Sequence, residues 1–174
     1  MAESEVLTAP SRVEYPFRRT TGPVIGAFFT ALREGFIVGI KGSDGTVIVP
    51  PVEYDPHTAE ELHEMVEVGD VGTVDTWAWV AEPLDAQPLR TPFAFALITL
   101  DGAGTAMLHA VDTGGDPAAM ATGMRVQARW NPAKPPVTEG ETEPAPPPGG
   151  RFREGHILDI ACFEPIPASD TKGA

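Results

Sequence analysis

The chain has 174 residues, room for one ordinary domain with a small appendage, and 42% of them are hydrophobic, enough for a core; a multidomain enzyme is excluded. Twelve basic against 25 acidic side chains give a formal net charge of −13, which repels phosphate backbones and anionic lipid on average, and the single cysteine, Cys162, excludes an intrachain disulfide framework. With 18 glycines and 19 prolines, tight turns and short strands are expected over long helices.

The first residues lack the basic-then-apolar pattern of a signal peptide, and no apolar run approaches the roughly 18 residues of a membrane span. A soluble, cytoplasmic protein with no membrane partner is expected. Residues 1–21 are polar and mixed in charge and are expected to form a flexible arm. A helix is predicted from Pro23 to Gly35: proline suits the first turn, Val24, Ile25, Phe28, Phe29 and Leu32 recur at three- and four-residue spacings, and glycine suits the stop. About three turns are marginal alone, so its apolar face must dock on the chain's own domain or on another chain. Phe36–Ile40 and Thr46–Val49, joined by Lys41-Gly-Ser-Asp-Gly45 and closed by Pro50-Pro51, read as a β-hairpin. Thr58-Ala-Glu-Glu fits a capping box opening a short helix with Leu62 and Met65 on one face. Residues 22–70 thus form an N-terminal unit of helix and hairpin.

From Val71 the pattern has period two. Val71–Val80 sets Val74, Thr76, Ala78 and Val80 against Asp75, Trp77 and Trp79, as in a half-buried strand. Thr91–Asp101 and Thr105–Asp112, with Gly102-Ala103-Gly104 between them, form a second hairpin. Asp116-Pro117 caps about one helical turn through Met120; Met124–Trp130 and His156–Phe163 supply a fourth and a fifth strand. Between those two lies a long loop whose residues 137–150, rich in proline and acid, are expected to be disordered; residues 166–174 form a polar tail. The expectation is a mainly β protein with a five-stranded OB-fold barrel over 71–165, since a sandwich would need about seven strands.

No catalytic residue and no metal ligand is assigned. His57 and His63 lack the spacing of a helical zinc-protease pair, His109 sits in a strand with His156 opening another, and no nucleophile elbow, phosphate-binding loop or dinucleotide turn occurs in a suitable context. Cys162 lies in an apolar run and reads as a packing thiol. Trp77, Trp79, Phe93 and Phe95 read as core or subunit interface; a base-stacking platform would call for cations clustered along the strands, so nucleic acid is not an expected partner. OB-folds hold ligands near the loops that here span Ala81–Arg90 and Asn131–Gly155, and Arg90, Lys134, Arg151 and Arg153 lie in or beside them, suited to a phosphorylated small ligand.

Phe28-Phe-Thr-Ala-Leu-Arg-Glu-Gly35 before the hairpin, Pro50-Pro51 after it, and Thr91-Pro-Phe-Ala-Phe-Ala-Leu-Ile-Thr-Leu-Asp101 leading to Gly123-Met124 together resemble the OB-fold family called domain of unknown function 35, over about residues 22–165. Members of that family pair an N-terminal helix and a rubredoxin-like zinc ribbon with the barrel. Their two Cys-x-x-Cys knuckles fall here on Lys41–Gly45 and Asp55-Pro-His-Thr58, where all four cysteines are missing, which implies a metal-free relic of the ribbon. The resemblance further implies an accessory subunit of a thiolase-fold, lipid-transfer-protein-like aldolase of steroid side-chain degradation. Acyl-CoA would be the shared ligand of a hetero-oligomer, with no cofactor bound by this chain itself. On that implication Phe28, Phe29, Leu32, Arg33, Trp77 and Phe93 are candidates for the partner interface and Arg90, Lys134, Arg151 and Arg153 for contact with CoA. A partner resembling an acetyl-CoA acetyltransferase or a hydroxymethylglutaryl-CoA synthase, a free-standing acyl-CoA-binding module, and an enzyme using His109 or a loop carboxylate are the rivals.

Overall fold

Helix α1 spans Gly22–Glu34, with Pro23 in its first turn. Gly35 ends it at φ 93°, a left-handed conformation that glycine adopts without penalty, and its amide returns to the carbonyls of Ala31 and Leu32. The structure, a computed structural model, describes residues 21–132 and 155–167; the expected arm and the segment 137–150 lie outside them. The helix is followed by a three-stranded antiparallel sheet in which β1 (Ile37–Lys41) is flanked by β2 (Val47–Ile48) and β3 (Met65–Val68).

The β1–β2 hairpin is the expected one, but β3 occupies the place of the helix expected after Thr58. The backbone amides there are taken by other partners. His57 and Thr58 donate to the Asp55 carboxylate, the Thr58 hydroxyl accepts from the Glu60 amide instead of that of Glu61, and Glu61 forms an isolated bridge with Tyr54. The segment folds back through Asp55 N–H to Glu60 C=O and Leu62 N–H to Glu53 C=O. It thereby delivers Met65 to the ladder, where Met65 pairs with Ile40 and Val68 with Ile37. Four rungs with β1 outweigh a local helix-start signal.

Strands β4 (Val71–Val80), β5 (Phe93–Leu100), β6 (Ala106–Val111), β7 (Arg125–Trp130) and β8 (Ile160–Pro165) close into a barrel in the order β4-β5-β6-β8-β7. Only the β6–β8 pair is parallel. This is the OB-like barrel expected from the strand count. Short 3₁₀ turns lie at Pro117–Ala119, capped by the Asp116 carboxylate, and at Ile157–Asp159, where His156 and Asp159 cap reciprocally. In β4 a bulge at Asp75 shifts the register between Val74 and Thr76. The extra residue reverses the alternation, so Trp77 and Trp79 pack on the core while Thr76 and Ala78 face outward.

One core runs through both parts, joining Phe28, Leu32, Ile37 and Val49 to Val74, Ile98, Met107 and Phe163. Phe28 and Leu32 are therefore buried by the chain's own barrel and sheet and are unavailable to a partner, a correction to their expected interface role. The seam is closed by the β5–β6 turn. The Thr105 hydroxyl accepts from Val49 N–H at 2.8 Å and donates to Val49 C=O at 3.0 Å, and Gly104 N–H donates to Val47 C=O at 2.8 Å. A Cβ on Gly104 would collide with the Thr46 side chain. No helix among the described residues is long and apolar enough to cross a membrane.

Candidate functional site

Both faces of β5 are apolar. Ala94, Ala96, Ile98 and Leu100 fill the barrel, while Phe93, Phe95 and Leu97 point out of it. On the outside, Phe93 packs with Ala110 and Cys162, and Val80, Leu89 and Phe95 cover this second cluster; the Phe93 and Phe95 rings meet edge to face at 4.9 Å. Phe93 is thus fully buried, which removes it from the candidate interface. Farther along the same face the cover ends. Leu97 and Leu108 stand opposite each other across the β5–β6 ladder, 38% and 60% exposed. Thr76 on β4 stands opposite Leu97 and Ala78 opposite Phe95, so the exposed patch carries no charge in these two rows.

The second and third strands of an OB barrel, here β5 and β6, are its usual binding face. Leucines there offer neither a stacking plane nor hydrogen-bond donors, so the face suits an apolar protein surface better than bases or sugars. The alternation Phe93-Ala-Phe-Ala-Leu-Ile98, apolar on both faces of one strand, was the sequence signal for this patch. The described cations are engaged elsewhere: Arg33 with Glu34, Lys41 with Glu64, Arg90 with Asp85, Arg125 with Asp101, and Arg129 with Asp112 and Glu164.

Of the expected CoA contacts, Arg90 is exposed in the β4–β5 loop, where it donates to the Asp85 carbonyl at 2.6 Å; Lys134, Arg151 and Arg153 lie outside the described residues. Of the remaining interface candidates, Phe29 is half-buried and stacks on the His156 ring at 6.3 Å, Trp77 is half-buried against the core, and Arg33 lies 3.4 Å from Glu34. The structure therefore does not gather the six candidates into one surface.

Among the described residues, His109 and Cys162 are buried where no charged partner activates them. His109 is enclosed in the barrel with its ring edge-on to Phe163; Nε2 lies 3.5 Å from the Ile157 carbonyl and Nδ1 has no hydrogen-bond partner. Burial pushes its pKa below the ordinary histidine value, so it is neutral at pH 7. Burial likewise pushes the Cys162 thiol up to about 12, leaving it protonated and unreactive. Ligand atoms of Asp112, Cys162 and Glu164 come within 4.8 Å of one another. Arg129 already sits between the two carboxylates, 2.6 Å from Glu164 and 3.5 Å from Asp112, so the cluster is poorly suited to a metal cation.

The family described as the C-terminal OB-fold domain of ChsH2 matches residues 65–131, from β3 to just beyond β7. The barrel resembles the ChsH2 OB-fold domain. Two solved structures share its fold. One is a protein of unknown function from the DUF35 family of Sulfolobus solfataricus, with 24% identity, TM-score 0.51, and 62% of this chain and 78% of that one covered. The other is the Ltp2-ChsH2(DUF35) aldolase, with 22% identity, TM-score 0.53, and coverage of 68% and 91%. No curated protein sequence matches the chain. The resemblance read from Phe28–Gly35, the proline pair and the β5 segment is therefore borne out for the OB-fold, and the match to the ChsH2 domain begins at β3.

Proposed function

We propose that the chain is a non-catalytic accessory subunit that docks on a thiolase-fold enzyme and helps form its acyl-CoA site, the enzyme being a retro-aldolase of steroid side-chain degradation. The observation that carries this reading is the uncharged Leu97–Leu108 patch on the binding face of an OB barrel that resembles the ChsH2 domain. A fold neighbour whose name joins a DUF35 protein to an aldolase supports the same reading. The chemistry agrees: Cys162 is protonated and His109 is enclosed in the barrel, so this reading assigns the nucleophile and the base to the partner. Arg90, in the β4–β5 loop beside Leu89 of the outer cluster, is a described cation that can exchange its Asp85 contact for a CoA phosphate.

Co-expression with a thiolase-fold protein encoded beside its gene, followed by size exclusion, tests the reading. Co-elution at a fixed ratio, with acyl-CoA binding requiring both chains, is expected. Separate elution of the two proteins refutes it, as does undiminished acyl-CoA binding by the isolated chain.

A further inference from the structure

In the family that the sequence resembles, a zinc ion joins two knuckles by four thiolates. The corresponding segments here, Lys41–Gly45 between β1 and β2 and Asp55–Thr58 before β3, carry no thiol, yet they lie against each other. What joins them is one carboxylate. Asp55 is only 3% exposed. Its Oδ2 accepts from the amide and the hydroxyl of Ser43, both at 2.8 Å, across the gap between the segments. Its Oδ1 accepts from the amides of His57 at 2.7 Å and Thr58 at 3.1 Å within its own segment. These bonds, that of the Ser43 amide foremost, hold the Asp55 carboxyl well below the usual carboxylate range.

The residues present do not fit zinc. A carboxylate has about four lone-pair sites, and four donors already fill those of Asp55. Lys41 carries a positive charge and directs it to Glu64 at 3.2 Å. Asp44 accepts from the Thr46 amide at 2.8 Å. Among the described residues, the groups that bring three ligand atoms within 4.8 Å include none from these segments. The close approach is built into the loop: a Cβ on Gly42 would stand 3.3 Å from both Asp44 Oδ1 and Asp55 Oδ2.

We propose that the Asp55 carboxylate is the cross-link of this N-terminal sheet, a hydrogen-bonded clasp standing where related proteins use a metal ion. Charge-assisted bonds to backbone amides are the stronger kind, and three of the four donors are amides, which only substitution by proline would remove. The sheet that packs on the barrel through Val49 and Ile37 is then closed without metal or thiol chemistry, so chelators and oxidants leave it intact.

The test is amide hydrogen exchange on the full chain, together with metal analysis. Wild-type protein should hold no stoichiometric zinc, and its exchange should not respond to chelator. Asp55→Asn keeps the size but turns one acceptor into a donor; the amides of Ser43, His57 and Thr58 should exchange roughly ten- to a hundred-fold faster while the barrel strands keep their rates. Ser43→Ala removes a single donor, and exchange at His57 and Thr58, on the other segment, should rise roughly severalfold. One zinc per wild-type chain, chelator-accelerated exchange, or unchanged rates at His57 and Thr58 in Ser43→Ala would each overturn the proposal.

Discussion

Replacing Leu97 and Leu108 together by threonine tests the docking face most directly. The two side chains lie 38% and 60% open, so between them they expose about as much surface as one whole leucine. Burying a leucine side chain is worth about 1.5–3 kcal/mol. If both are covered in the complex, the double variant should bind its thiolase-fold partner about ten- to a hundred-fold more weakly. Threonine retains strand propensity, but the parts of the two side chains already buried in the free chain also amount to about one whole leucine, so the isolated protein should lose up to about 1.5–3 kcal/mol in urea unfolding while the variant stays folded. Calorimetric titration of the partner reads the first quantity and urea unfolding the second. A dissociation constant within twofold of wild type would show that the partner does not cover these leucines, and the β5–β6 face would lose its role.

Three other changes probe the interior. Phe28→Ala should cost about 3–5 kcal/mol in urea unfolding because the ring is inside the core; a loss below about 1 kcal/mol would place the helix outside it. Thr105→Val removes the acceptor of the buried Val49 amide and should cost about 1–3 kcal/mol, with Thr105→Ser recovering most of it; equal stability of wild type and the valine variant would deny the seam its hydrogen bonds. Burial disfavours the His109 imidazolium, so the unfolded chain binds the extra proton first. Stability is then full above the ordinary value of 6.5 and declines as pH falls below it. His109→Leu should shrink that slope just below pH 6.5, with His156 contributing part of what remains; an unaltered slope would mean that His109 does not carry the effect.

The barrel was legible because period two is a direct image of the pleat: all five strands of the barrel fall within a few residues of the runs that predict them. The failures have local causes. At Thr58 the capping-box letters are present, but Asp55 takes the Thr58 amide that Glu61 would cap, the Thr58 hydroxyl accepts from Glu60 instead of Glu61, and β1 offers a ladder that the local sequence does not reveal. At Asp75 one bulged residue turns two tryptophans inward, a displacement invisible without the partner strand. The amphipathic helix was read correctly as needing something to cover it; whether the cover is the chain's own barrel or a second protein depends on tertiary geometry, and Phe28 and Leu32 went to the barrel. The leucine patch was missed: Leu97 and Leu108 are absent from the expected interface, and their trace in the sequence is a β5 run apolar on both faces, while the Asp55 clasp shows only as the gap left by missing cysteines.

A hairpin tip is ordinarily where a chain tolerates insertion, yet the β5–β6 tip is closed to it. Its Gly104 sits against Thr46, and its Thr105 occupies both polar groups of Val49. The strands that present Leu97 and Leu108 are therefore anchored at their far end to the N-terminal sheet. A partner that grips these leucines pulls on the whole molecule and not on a loose flap. Growth of the protein in evolution or by engineering is then directed away from this tip to other connections, among them β4–β5 and β7–β8, where an OB barrel also adjusts what it binds.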